Sequence, residues 1–134
     1  MCVFCKIING EIPCYKIYED DEILAFLDIA DDAIGHTLVN PKKHYENVLD
    51  IDNDTLNKVM SVVKVISNHY VDNCGYTGVN IMNASGKDAQ QSVFHLHFHI
   101  FPRCENDGVR AWPEFGKVNS NFEEVCAKLT LLKK

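Results

Sequence analysis

Apolar positions along the chain follow two rhythms, and the switches between them predict its elements. Between residues 54 and 73, Leu56, Val59, Met60, Val63, Ile66 and Tyr70 recur every three or four positions, the period of a helix with one buried stripe. Asp52, Asn53 and Asp54 offer N-caps ahead of it, and Gly75 ends it. Residues 15–18 and 23–27 read as strands parted by the acidic turn Glu19-Asp20-Asp21-Glu22. Residues 37–40 make a third strand, stopped by Pro41, and residues 78–82 a fourth. A fifth spans 93–101 and ends at Pro102. Residues 2–9 fit a helical turn closed by Gly10 and the Ile12-Pro13 step, and Asn121 caps a short helix reaching Leu129. Strands outnumber helices and short turns join them, so an antiparallel α+β fold is expected, as a single domain over 1–134.

Composition narrows the function classes. With 46% hydrophobic and 24% charged residues, the chain reads as an ordinary globular domain. A net charge of −6 argues against a nucleic-acid partner, which requires a basic face, but leaves room for a locally positive pocket. Nothing approaches the roughly 20 apolar residues of a membrane span, and Met1-Cys2-Val3-Phe4-Cys5-Lys6 lacks the apolar core of a secretion signal. A cytoplasmic location is therefore expected. In that setting the six cysteines read as thiols, and only Cys2 and Cys5 have a metal-ligand spacing.

The distinctive chemistry lies in His95-Leu96-His97-Phe98-His99. On a strand, the three imidazoles share one face while Leu96, Phe98 and Ile100 pack on the other against the long helix. Two chemistries suit such a face. His-x-His can chelate a metal, but same-face neighbours lie roughly 6.7 Å apart, so His95 and His99 start about 13 Å apart. The alternative divides the labour, one imidazole attacking phosphorus while others position the phosphate, and the spacing favours this.

His95-Leu96-His97-Phe98-His99-Ile100-Phe101 resembles the signature of the histidine triad (HIT) superfamily. Phe26-Leu27-Asp28, Gly35-His36-Thr37-Leu38-Val39, Pro41-Lys42-Lys43-His44 and Gln91-Ser92-Val93 are similar to further family segments, in family order, close to the Hint-like and bacterial HIT hydrolase branch. The resemblance covers 2–103 and leaves 104–134 to contribute to the active site or a dimer. It implies a five-stranded, mainly antiparallel sheet with one long and one or two short helices.

The resemblance also implies roles. His97 would attack the α-phosphorus to give a nucleotidyl-histidine, with the His95 carbonyl setting its tautomer. His99 and His36 would contact the α-phosphate. Asn83, Gln91 and Ser92 would hold phosphate oxygens and the leaving group, helped by backbone amides near Ser92 and Val93. Asp28 would accept from the ribose hydroxyls, and Phe4, Ile7, Leu27 and Ile29 would surround the base. Cys2, Cys5, His44 and His95 would hold a structural zinc, with no catalytic metal required. His99 and Ser92, together with Trp112-Pro113, favour a purine nucleoside 5′-phosphoramidase. A dinucleoside polyphosphate hydrolase and a nucleotide-binding module with incidental turnover are the alternatives. A homodimer is implied, with the long helix and residues 78–82 at its interface. The loop 83–92 departs from the eukaryotic Hint pattern, one residue longer and with Gln90 in place of glycine.

Overall fold

The computed structural model describes residues 1–131; positions 132–134 of the expected domain lie outside the described residues. The elements run α1 (Val3–Ile8), β1 (Lys16–Glu19), β2 (Ile23–Leu27), β3 (Thr37–Pro41), α2 (Asn53–Asn73), β4 (Gly78–Met82), β5 (Phe98–Arg103) and α3 (Phe122–Leu129), with a 3-10 turn at Lys87–Ala89. The five strands form one sheet in the order β1-β2-β3-β5-β4, and every pairing is antiparallel.

The central strands bury both faces because a helix covers each. On one face Ile23, Ala25, Val39 and Ile100 pack under Val59, Val62, Val63, Ile66 and Tyr70 of α2. On the other, Leu24, Phe26 and Leu38 pack with Phe4 of α1. This explains why Ile23 to Phe26 reads as an unbroken apolar block: alternate residues serve opposite layers. α2 begins at Asp52, whose carboxylate accepts from the Thr55 amide at 2.9 Å. Its buried stripe differs from expectation at one turn, where Val62 is buried and Met60 is 38% exposed. A buried contact of 2.6 Å between the Thr37 and Tyr70 hydroxyls ties β3 to the helix.

The histidine strand differs most from its prediction. It starts at Phe98, not residue 93, and runs through Pro102 to Arg103. Its pairing with β3 covers only Thr37–Ile100 to Val39–Phe98, so residues 93–97 have no β3 ladder beside them. Their polar groups bond elsewhere: the Leu96 amide donates to the Tyr45 carbonyl at 2.7 Å, and the His97 carbonyl accepts from Asn83 at 3.0 Å. Pro102 is tolerated because the ladder with β3 stops at the Thr37–Ile100 pair, leaving that stretch of β5 paired to β4 alone.

The C-terminal part packs thinly. α3 buries none of its side chains, and Trp112 is 74% exposed, so it is not a core aromatic. No helix among the described residues is long and apolar enough to cross a membrane.

The two-layered sheet sets a stability prediction. Ile100 is fully buried between β3, β4 and α2. Ile100→Ala should lower the unfolding free energy by about 2–5 kcal/mol in denaturant titration, whereas Val65→Ala on the exposed side of α2 should shift it by less than about 0.5 kcal/mol.

Candidate active site

His97 sits in the irregular approach to β5, and its ring is held from both ends of the local chain. Its Nδ1 lies 2.7 Å from the His95 carbonyl oxygen. A carbonyl can only accept, so Nδ1 carries the hydrogen and Nε2 keeps a bare lone pair. Burial pulls the pKa of His97 below that of ordinary histidine, which keeps the ring neutral. At 8% exposure His97 does not lie on an open sheet face, as strand alternation predicts. The Phe4 ring meets it edge-on at 5.0 Å, and His99 follows at 4.8 Å between centroids.

Behind His99 lies a chain of hydrogen bonds. His99 Nδ1 is 2.8 Å from His36 Nε2, and His36 Nδ1 is 2.7 Å from an Asp32 carboxylate oxygen. Asp28 also faces His36 Nδ1, at 3.6 Å. Burial raises the Asp32 carboxyl, but the His36 hydrogen bond and charge, with backbone N–H groups, outweigh it and hold it below its usual range. Burial, then His97 and His36, push His99 down to about 4. Residues 28–36 form a loop closed by the Asp28 amide on the His36 carbonyl, 2.8 Å. Gly35 adopts φ +83°, and a Cβ there would come within 3.0 Å of Pro102, so only glycine lets the loop approach β5 closely enough to seat His36. The Phe101 ring stacks on His36 at 4.0 Å.

Beyond Phe4, an apolar pocket of about 180 Å³ is lined by Phe4, Ile7, Phe26, Leu27, Asp28 and Ile29, among others. Five of these are the residues expected around a nucleoside. Asp28 stands at the point where the pocket meets the His36 loop, with its other oxygen accepting from the Ala30 amide at 2.9 Å.

In the loop from residue 83 to 92, two of the residues expected to hold phosphate oxygens bond to the chain itself. Gln91 is buried, with both ends of its side-chain amide engaged. At 6% exposure, its Oε1 accepts from Asn47 Nδ2 and the Gly86 amide, and its Nε2 donates to the carbonyls of Glu46 and Val93. Both ends are consumed in bracing the loop. Asn83 likewise turns inward: its Nδ2 donates to the His97 carbonyl and its Oδ1 accepts from Ser85. Ser92 is exposed at the loop's end, and Val93 packs half-buried near α1.

His95 belongs to a different cluster. Its Nε2–H donates to the Pro41 carbonyl at 2.8 Å, which leaves Nδ1 bare. That lone pair points at Cys2 Sγ (3.4 Å), Cys5 Sγ (3.5 Å) and His44 Nδ1 (3.2 Å). His44 Nδ1 lies 3.6 Å and 3.4 Å from the same two sulfurs. Tetrahedral zinc with ordinary bond lengths sets edges of about 3.6 Å between sulfur and nitrogen and about 3.3 Å between nitrogens. The donor set therefore fits a four-coordinate cation, and four ligands leave no position for substrate. Among the described residues His97 is in no cluster of metal donors, so a metal shared by His95 and His97 finds no support.

Asp32, Asn47, Tyr45 and Phe101 were not among the residues expected from sequence. Asp32 sits four residues before His36, but within a loop that spacing carries no periodic signal. The others act through contacts distant in sequence.

The HIT domain family model matches residues 9–106. A HIT-like protein of Borreliella burgdorferi is 52% identical over 135 residues, covering 97% of this chain and 96% of its own length. Adenosine 5′-monophosphoramidase of Saccharomyces cerevisiae is 37% identical over 134 residues, covering 96% of this chain and 82% of that protein. A solved zinc-bound histidine triad family protein from Mycobacterium smegmatis superposes with a TM-score of 0.78 at 37% identity, covering 84% of this chain and 82% of the other. The matched stretch contains His36, His44 and all three histidines of the β5 approach, and the chain belongs to the HIT domain family.

Proposed function

We propose that this protein hydrolyses purine nucleoside 5′-phosphoramidates at the α-phosphorus, releasing the nucleoside monophosphate and an amine. The observation that carries this reading is the hydrogen bond from His97 Nδ1–H to the His95 carbonyl, which leaves a neutral Nε2 lone pair beside His99. Kinship with the yeast phosphoramidase supplies the substrate class.

Nε2 of His97 attacks phosphorus, the bond from phosphorus to the leaving nitrogen breaks, and that nitrogen takes a proton from His99. Water then cleaves the nucleotidyl-histidine. His99, with the amides near Ser92 and Val93 and the Ser92 hydroxyl, stabilises the five-coordinate phosphorus, and His36 supports it through its bond to His99. Asp28 binds the ribose, while Phe4, Ile7, Leu27 and Ile29 enclose the base, so the apolar pocket takes the nucleoside. Asn83 serves by holding the His97 carbonyl.

The same reading places one structural zinc on Cys2, Cys5, His44 and His95. The group would supply charge that keeps both thiols ionised, and would fix the His95 ring whose backbone orients His97. The functional unit is read as a two-fold dimer, since β4 is an open sheet edge with Ile81 44% and Met82 38% exposed, and Trp112-Pro113 is left to contact a second copy.

Quenching the protein during turnover of adenosine 5′-phosphoramidate should yield an adenylyl adduct on the peptide carrying His97, read by mass spectrometry. His97→Ala should abolish the adduct and cut the rate by about 10³-fold or more; undiminished turnover in that variant would sink the mechanism. Metal analysis should find one zinc per chain. A chelator should lower the melting temperature, while the still-folded protein keeps its rate within about tenfold. Complete loss of turnover in folded, zinc-free protein would point to a metal in the chemistry instead.

A further inference from the structure

Deepening that reading, we propose that Asp32 is a positioning residue which, acting through His36, makes His99 present an N–H to the leaving group. The proposal rests on two consecutive hydrogen bonds that end on a carboxylate: Asp32 to His36 Nδ1 at 2.7 Å and His36 Nε2 to His99 Nδ1 at 2.8 Å. An ionised carboxylate only accepts, so His36 Nδ1 bears a hydrogen. One proton more or less on the imidazole pair then decides what His99 offers. Without it, His99 Nδ1–H donates back to His36 Nε2, and His99 Nε2 shows a bare lone pair that repels the departing nitrogen's electrons. With it, His36 is a cation beside Asp32, His99 Nδ1 accepts, and His99 Nε2 carries a hydrogen.

Burial disfavours the cation on His99 itself, and of the two rings it is His36 that has the Asp32 carboxylate against its Nδ1, at 2.7 Å. The groups facing the pair are Asp28 at the end of β2, Asp32 in the loop, and His97 before β5; Phe101 covers the His36 ring. Asp28 stands at 3.6 Å from His36 Nδ1 and is assigned to ribose, so Asp32 supplies the closer charge. In the Ser-His-Asp triads a carboxylate fixes an imidazole tautomer in the same way, one imidazole nearer the chemistry.

The step balances. His97 Nε2 forms a bond to phosphorus as the bond to the leaving nitrogen breaks, and the electron pair stays on that nitrogen. The nitrogen takes the Nε2 proton of His99. His99 Nδ1 takes the Nε2 proton of His36, which becomes neutral while still donating to Asp32. When water cleaves the adduct, its proton returns to His99 Nε2 and the pair regains its charge.

A leaving group that departs without protonation distinguishes this role from simple scaffolding. The unaltered protein and Asp32→Asn are compared on adenosine 5′-phosphoramidate and on the p-nitrophenyl ester of AMP. Asp32→Asn should lose about 10- to 100-fold in kcat on the phosphoramidate but less than about threefold on the ester. Its basic pH limb on the phosphoramidate should move about one unit lower, because a carboxylate holds the pair's proton and an amide does not. Asp32→Glu should restore most of the rate. Equal losses on both substrates with an unmoved basic limb would overturn the proposal. Nitrogen-15 NMR of the His36 and His99 rings reads the same proton without turnover, and an unchanged titration in Asp32→Asn would also overturn it. Absence of wild-type turnover on both substrates would instead remove the phosphoramidase reading, leaving the NMR result to judge Asp32.

Discussion

The His95 carbonyl accepts from the His97 ring at 2.7 Å, and much of the surrounding chain exists to keep that oxygen in place. The His95 ring is anchored on Pro41 at the end of β3 and faces three further metal-type donors. The next residue, Leu96, is fully buried and its amide is tied to Tyr45. The His97 carbonyl is held by Asn83. Three successive residues thus give up strand pairing so that one imidazole can have a defined tautomer. The Leu96 amide and the His95 and His97 carbonyls are satisfied by side chains and a loop instead of a neighbouring strand.

Desolvation works with this geometry. The sheet is covered on both faces, and the histidines emerge where the α1 layer meets the 28–36 loop. Burial therefore lowers the basicity of His95, His97 and His99 together. Neutral rings follow, and a neutral ring is what attack on phosphorus needs. Of His36, His95, His97 and His99, among the described residues, His36 is the one that lies against a carboxylate at hydrogen-bond distance.

Much of this was legible beforehand. The three-to-four spacing between Val59 and Tyr70 identified α2, because a local period records which face a helix buries. The alternation of His95, His97 and His99 pointed to the site, but placed the strand start five residues early. Where a strand begins depends on its partner, and the end of the β3 ladder at Val39–Phe98 leaves no trace in the histidine segment itself. Gln91 and Ser92 look alike in sequence as polar loop residues, yet one is buried and one exposed. Their orientation depends on Glu46 and Asn47, which lie far away along the chain. Asp32 was invisible for the same reason: loops have no periodicity to announce a pairing. The Cys2, Cys5, His44 and His95 set was named by family resemblance alone, and its geometry emerges only when α1 packs over the sheet.

The bracing by Gln91 has an energetic meaning. One side-chain amide ties together Glu46, Asn47, Gly86 and Val93, four positions from three separate stretches of chain. Ordering the 83–92 loop is thus a cost met during folding, and a segment braced at this many points has little conformational freedom left to lose.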